Sequence, residues 1–139
     1  MAATVRAIFI KPVKGQGAVS VNGVNAVAGG FEGDHHTGVS TRRQILLVSA
    51  AVLNELQVEP GAVSENVIVE GMDVMDLQEG QRLRLGEAEV AVTIPCEPCI
   101  QMDRIRYGLR KALQNRRGMF VKVVAPGAVR VGDPVTVAR

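Results

Sequence analysis

The sequence predicts a mainly β protein, a barrel or sandwich of short, mostly antiparallel strands with two or three short helices. Three observations carry this expectation. Apolar and β-branched runs recur along the whole chain, turn-forming Gly, Pro, Asn and Asp separate them about every ten residues, and only a few short stretches keep helical spacing. A length of 139 residues suits one domain spanning 1–139. With no Trp, one Tyr and three Phe, the core must be filled by Val, Leu, Ile, Ala and Met. Valine favours strands.

The elements follow in order. "TVRAIFI" (4–10) reads as a first strand, and "GAVSVNGV" (17–24) alternates polar and apolar as a second. "AGGFEGDHHTGVSTRR" (28–43) holds four glycines and no sustained period, so it is read as a long loop or a strand broken by turns, a place where function often sits. Gln44 to Val48 make a strand. Ser49 stands as the N-cap of a short helix with Val52, Leu53 and Leu56 on one face, and Pro60-Gly61 ends it. "SENVIVEG" is a strand, and "MDVMDLQEGQRLRLGEAEVAVTIP" a helical turn followed by two strands joined at Leu85-Gly86-Glu87. The spacing of Ile105, Leu109, Ala112 and Leu113 predicts one amphipathic helix from Asp103 to Asn115, stopped near Gly118. Strands divided at Pro126-Gly127 and Gly132-Asp133-Pro134 close the chain.

Sixteen Lys plus Arg against fourteen Asp plus Glu leave a formal charge of +2, which gives no case for a nucleic-acid partner. No run approaches the roughly 18 apolar residues of a membrane helix, and the N-terminus does not read as a secretory signal. Neither a membrane nor a nucleic acid is expected as partner, and the cytoplasm is the default address. In that reducing compartment, two cysteines are better explained by chemistry than by a structural disulfide.

Those cysteines form a C-x-x-C, Cys96-Glu97-Pro98-Cys99, just after a strand end. It is open to several readings: a redox pair, half of a zinc site with His35 or His36, a single reactive sulfur with a neighbour, or two small buried hydrophobes. Prolines on both sides and Glu97 between the thiols favour an exposed, constrained turn. The surroundings offer basic residues at strand and loop ends, Lys11, Lys14, Arg42, Arg43 and the arginines from Arg104 to Arg117. Singly these are solvated charge; converging on a thiol, they would suit an anionic ligand and favour the thiolate. "GDHH" (33–36) supplies a carboxylate and imidazoles fit for acid and base work, although Asp34 after glycine is also a turn former. Asn66 carries an amide able to bind a ligand. No P-loop, dinucleotide fingerprint or nucleophile elbow occurs.

Taken together, "IFIKPVKG", "GDHH", "RRQILLVS", "SENVIVEGMDVMDLQEGQRLRLGEAEVAV", "IPCEPC" and "VRVGDPVTV" resemble the MOSC domain, the module that ends molybdenum-cofactor sulfurases and also occurs as free-standing bacterial proteins. The resemblance spans nearly the whole chain. It implies a MOSC-type β-barrel with one cysteine placed to hold sulfur as a persulfide or to ligate molybdenum in a bound pterin cofactor. The matching residue in a P-R-x-P-C pattern is Cys99, with Cys96 standing where the family more often has a basic residue and serving as a possible resolving thiol. Lys14 and Arg43 match basic, cofactor-facing positions, with Arg42 beside them; Asp34 and Asn66 match less closely, and His35 is a catalytic candidate with Asp34 from the loop itself. The implied function is molybdopterin binding or sulfur carriage through Cys99, with reduction of N-hydroxylated compounds, or a non-catalytic interaction barrel with structural cysteines, as alternatives. Pyridoxal phosphate is not expected on this chain and would come only through a partner cysteine desulfurase; a molybdoenzyme is the other partner implied.

Overall fold

Seven strands close a barrel. In the computed structural model, which describes residues 2–138, β1 (Ala3–Ile10) is followed by β2 (Val19–Val21), β3 (Gly23–Val27), β4 (Gly30–Phe31), β5 (Ile45–Ser49), α1 (Ala50–Leu56) and β6 (Val67–Glu70). A single 3-10 turn at Val74–Asp76 leads to β7 (Arg82–Leu85) and β8 (Ala88–Pro95). Helices α2 (Ile100–Ile105) and α3 (Leu109–Ala112) precede β9 (Met119–Ala125), β10 (Gly127–Arg130) and β11 (Pro134–Val137). Hydrogen bonding runs β11-β7-β8-β9-β5-β6-β1, and β11 returns to β1 to close the ring, while β2 lies on the outer edge of β1. Strands β10, β3 and β4 form a separate three-stranded sheet. The mainly β barrel expected from the sequence is thus the observed architecture.

One pair departs from the antiparallel rule. β5 and β6 run parallel, with Leu47 opposite Val67, because α1 carries the chain back to the start of the sheet between them. β5 is buried along its whole length, which explains its unbroken apolar run. Its alternate side chains serve two cores: Ile45 and Leu47 point into the barrel with Val67, Leu83, Val90 and Val121, while Leu46 and Val48 face an outer layer formed with Leu53, Met102, Leu109 and Leu113. That outer layer carries the candidate site.

Three local expectations need correction. The strand read over 17–24 breaks at Asn22, because β2 pairs with β1 whereas β3 pairs with β10 in the other sheet. The segment 28–43 matches its reading as a strand broken by turns: the two-residue strand β4 seats the fully buried Phe31 in the barrel core, and turns follow it. The single helix expected from Asp103 to Asn115 is two helices. Gly108 at φ +86° turns the chain, and the Asp103 carboxylate accepts from the amides of Gly108 (3.1 Å) and Arg110 (3.0 Å), capping the second helix. Ser49 does precede α1, but its hydroxyl accepts from the Val74 amide at 2.9 Å instead of capping the helix.

Candidate functional site

The outer end of β5 and the approaches to β6 and β9 enclose a cavity of about 270 Å³, lined among others by His36, Arg43, Asn66, Cys96 and Arg117. The loop 28–43 brings His36 there. Gly29 lies at φ +94° with its Cα so close to Gly38 that a Cβ would stand 2.7 Å from the Gly38 nitrogen, so the two ends of the loop can touch only through glycine. Inside this closure the buried Asp34 acts as an organiser. Its carboxylate accepts from the Lys11 amide (2.9 Å), the His36 amide (2.8 Å) and the Asn66 side chain (3.4 Å), and its Oδ1 stands 3.0 Å from His36 Nδ1. Burial works against ionisation of Asp34, but the Lys11 and His36 amides and the His36 ring outweigh it and hold the carboxyl below its ordinary value of 3.8. The ion therefore contributes stability that is present above pH 3.8 and is lost as the pH falls through the lower folded-state value. A carbon-13 titration of the side-chain carboxyls should show Asp34 among the last to protonate; a midpoint at or above 3.8 would contradict this.

Asn66 is engaged on both sides. Its Oδ1 accepts from the Leu46 amide at 2.9 Å and its Nδ2 donates to the Phe9 carbonyl at 3.2 Å, so the side chain stitches β5 to β1 where the parallel pair opens. One face still borders the cavity. Before it, Glu65 is almost wholly buried, yet its carboxylate accepts from the amides of Gly61 (2.8 Å) and Val63 (3.2 Å). Ser64, at φ +63°, receives the Lys11 ammonium on its hydroxyl at 2.8 Å.

Arg117 is the residue the sequence reading did not single out. Only 5% exposed, it donates through Nη2 to the Val63 carbonyl, while Nη1 is buried with no hydrogen-bond partner among the described residues. A buried, unpaired guanidinium nitrogen costs about 1–3 kcal/mol or more, so its setting is made for something that accepts. Strand periodicity gave no signal for it: Arg117 precedes β9, whose Met119 and Val121 point into the barrel, while Arg117 lines the cavity on the outer side with Leu46 and Phe120. Its neighbour Arg116, by contrast, faces outward to Glu55 at 2.7 Å.

The two thiols part company. Cys96 is half-buried, packs against the outer core and lines the cavity; its amide is held by the Gly118 carbonyl at 2.9 Å. That hold depends on Gly118, at φ +147°, where a Cβ would meet the Leu47 carbonyl at 2.6 Å. Cys99 is exposed, caps no helix with its side chain and is absent from the cavity lining. Burial pushes the Cys96 thiol above its ordinary 9.0, while the Arg117 and Arg43 charges pull it back and Cys99 and Glu97 add to the rise. The cations anticipated beside Cys99 thus act on Cys96. Under limiting iodoacetamide at pH 7, Cys99 should be alkylated at least about tenfold faster than Cys96, given the dependence of rate on thiolate and access; equal rates would refute the difference in environment.

Other expected site residues lie elsewhere. Arg42 lines a separate open groove with Arg82 and Lys122, Lys14 is exposed in the β1–β2 connection, and His35 stacks on His36 with ring centres 3.8 Å apart. Among the described residues no three His, Cys, Asp or Glu side chains gather to hold a metal ion by themselves. No helix among them is long and apolar enough to cross a membrane.

Comparison with known proteins places this geometry. No curated protein matches the chain. Among solved structures, the YuaD protein of Bacillus subtilis is similar, with a TM-score of 0.89 and 25% identity over 99% of this chain and 96% of that one. YiiM from Geobacillus stearothermophilus (TM-score 0.79, 17% identity, 99% and 75% covered) and YiiM from Escherichia coli (0.72, 22%, 99% and 69%) share the fold. The family model described as MOSC domain matches residues 32–136, which include the His36 loop, Asn66, both cysteines and Arg117; the chain belongs to the MOSC domain family.

Proposed function

We propose that the cavity holds the anionic end of a molybdopterin-type cofactor, or sulfur destined for one, against Cys96. The MOSC family is generally linked to molybdenum-cofactor binding and sulfurase-like function. The observation that carries the reading to this chain is the buried, unpartnered Arg117 Nη1 in the wall that also presents Cys96 and Arg43. A thiol that becomes a soft thiolate ligand, two guanidinium groups and an imidazole form a donor set suited to an anion carrying a thiophilic centre. The volume of about 270 Å³ falls below the roughly 300–1,000 Å³ of a site that engulfs a whole drug-sized molecule, so one end of the ligand enters.

Each residue has a defined task in this reading. Arg117 and Arg43 neutralise the incoming charge, and Arg117 Nη1 gains its missing acceptor. His36, with Nδ1 engaged by Asp34, offers Nε2 as donor or acceptor. Cys96 supplies the thiolate, stabilised by the same two cations once the ligand has displaced water. When bound, such a cofactor supplies a metal centre that takes thiolate ligands and exchanges oxygen or sulfur atoms. A cysteine desulfurase or a molybdoenzyme is the kind of partner that would give or take the sulfur.

The test is metal analysis with intact-mass spectrometry on protein purified without oxygen from a host that makes the cofactor. Near-stoichiometric molybdenum, or a single sulfur adduct on Cys96, is expected in the wild type; Cys96→Ser should lose the molybdenum, and Cys99→Ser should keep it. Molybdenum that survives in Cys96→Ser and disappears in Cys99→Ser would return the role to the outer thiol. Protein with neither molybdenum nor added sulfur would overturn the reading.

A further inference from the structure

The C-x-x-C joins two environments. Its first thiol looks into the cavity, and its second stands in solvent three residues on. Both ends of the segment are fixed, the Cys96 amide on the Gly118 carbonyl and the Cys99 carbonyl by the Met102 amide at 2.9 Å. Between them Glu97 and Pro98 form part of the wall of an open groove of about 530 Å³ with Arg110 and Lys111, a groove whose lining shares no residue with the cavity. Cys99 is open to a donor protein, whereas Cys96 is half-buried in the wall of the cavity.

We propose that the two cysteines form a sulfur relay, in which Cys99 takes sulfane sulfur from a persulfide donor at the surface and passes it inward to Cys96. The proposal rests on reading the cavity as a site that handles sulfur, and adds an acceptor, a direction and a class of donor. In the first step the Cys99 thiolate attacks the outer sulfur of the donor persulfide, and the donor leaves as its thiolate. In the second, Cys96 attacks the outer sulfur of the Cys99 persulfide; a sulfur–sulfur bond forms to Cys96 as the one to Cys99 breaks. The proton lost by Cys96 balances the one gained by the departing Cys99. One neutral sulfur atom moves in each step, so neither needs an added oxidant or reductant.

The environments set the direction. Cys99 departs as a hydrated thiolate, a good leaving group, and the persulfide formed on Cys96 lies beside Arg43 and Arg117, which favour its anion. Burial opposes the free Cys96 thiolate, so Cys96 is a slow first acceptor from solution and depends on sulfur handed over within the segment. Only Glu97 and Pro98 separate the two cysteines along the chain, which keeps both thiols in one short segment.

The full chain, reduced and free of oxygen, is mixed with substoichiometric inorganic polysulfide, quenched with an alkylating agent over a time course and digested. Tandem mass spectrometry that breaks the Glu97–Pro98 bond assigns the added sulfur to one cysteine or the other. Sulfur is expected first on Cys99, then on Cys96 as the Cys99 signal falls. Cys99→Ser should slow loading of Cys96 at least tenfold, and both Cys96→Ser and Cys96→Ala should leave sulfur stranded on Cys99. Loading of Cys96 at the wild-type rate in Cys99→Ser would overturn the relay, as would a Cys96–Cys99 disulfide with released sulfide as the main product, which means attack on the inner sulfur. In either case molybdenum copurification still stands or falls by itself, so failure of the relay is separable from failure of the cofactor reading. No sulfur on either thiol overturns the relay and the sulfur-carrier half of that reading together.

Discussion

Arg117→Met should abolish anion binding in the cavity while leaving the chain folded. The two effects come from different nitrogens. Nη1 has no partner among the described residues, so its removal costs the fold no hydrogen bond and relieves a buried, unsatisfied donor; Nη2 gives up its bond to the Val63 carbonyl. Replacement of a buried ionic group by an apolar one of similar volume is often neutral or stabilising, which offsets part of the cost of leaving the buried Val63 carbonyl without its donor, so the stability loss should stay below about 3 kcal/mol. Binding has no such compensation. Truncating one side of a buried charge contact costs about 2–5 kcal/mol, roughly 30-fold or more in affinity. Titration of the cavity with inorganic phosphate, followed by amide shifts of His36 and Cys96, measures the loss, and denaturant unfolding measures the fold. Retained affinity would show that Arg117 plays no part in the site; a collapse in stability would show that its role is structural. Arg117→Lys keeps one charge but only one direction of reach, and should fall between the two.

Phe31→Ala should produce the largest loss of stability, about 3–5 kcal/mol, together with a disordered His36 loop. Phe31 is 1% exposed in the barrel core, where the few aromatics leave no larger side chain to refill the space. Its backbone also starts the loop: the Phe31 carbonyl accepts from the Asp34 amide at 3.2 Å and from the Thr37 hydroxyl. A cavity at Phe31 therefore loosens the carboxylate that holds His36 and Asn66. Chemical denaturation gives the first effect and amide exchange at Asp34, His36 and Thr37 the second. A loss below about 1 kcal/mol would mean that β4 contributes little to the barrel.

Much of this architecture was legible in the chain. Period-two alternation and turn residues placed the outer strands because these have one wet and one dry face, as in Arg82–Leu85, where Leu83 and Leu85 are buried and Arg82 and Arg84 exposed, and the unbroken apolar run of β5 placed the strand buried on both faces. The broken helix was not legible, since Ile105, Leu109 and Leu113 keep helical spacing across Gly108 while the Asp103 cap that divides them is a contact between side chain and backbone. The split of "GAVSVNGV" likewise depends on which distant strand each half pairs with.

The sequence by itself determined the mainly β class, the turn positions, the family resemblance and the set of residues from which a site could be built: two thiols, an acidic and imidazole loop, an asparagine and several arginines. Only the tertiary structure decided which of them meet. It turned Cys96 inward and Cys99 outward, separated Arg42 from Arg43, and buried Arg117 while leaving Arg116 partly exposed and paired with Glu55. The physical reason is common to all three pairs. Within a strand, direction follows from periodicity, but at loops and strand ends, such as Thr41 to Arg43, Cys96 to Cys99 and Asn115 to Gly118, backbone angles such as Asn115 at φ +62° and Gly118 at φ +147° set the direction of a side chain. Those angles are fixed by long-range contacts, here with Leu47 and Val63, that no local pattern contains.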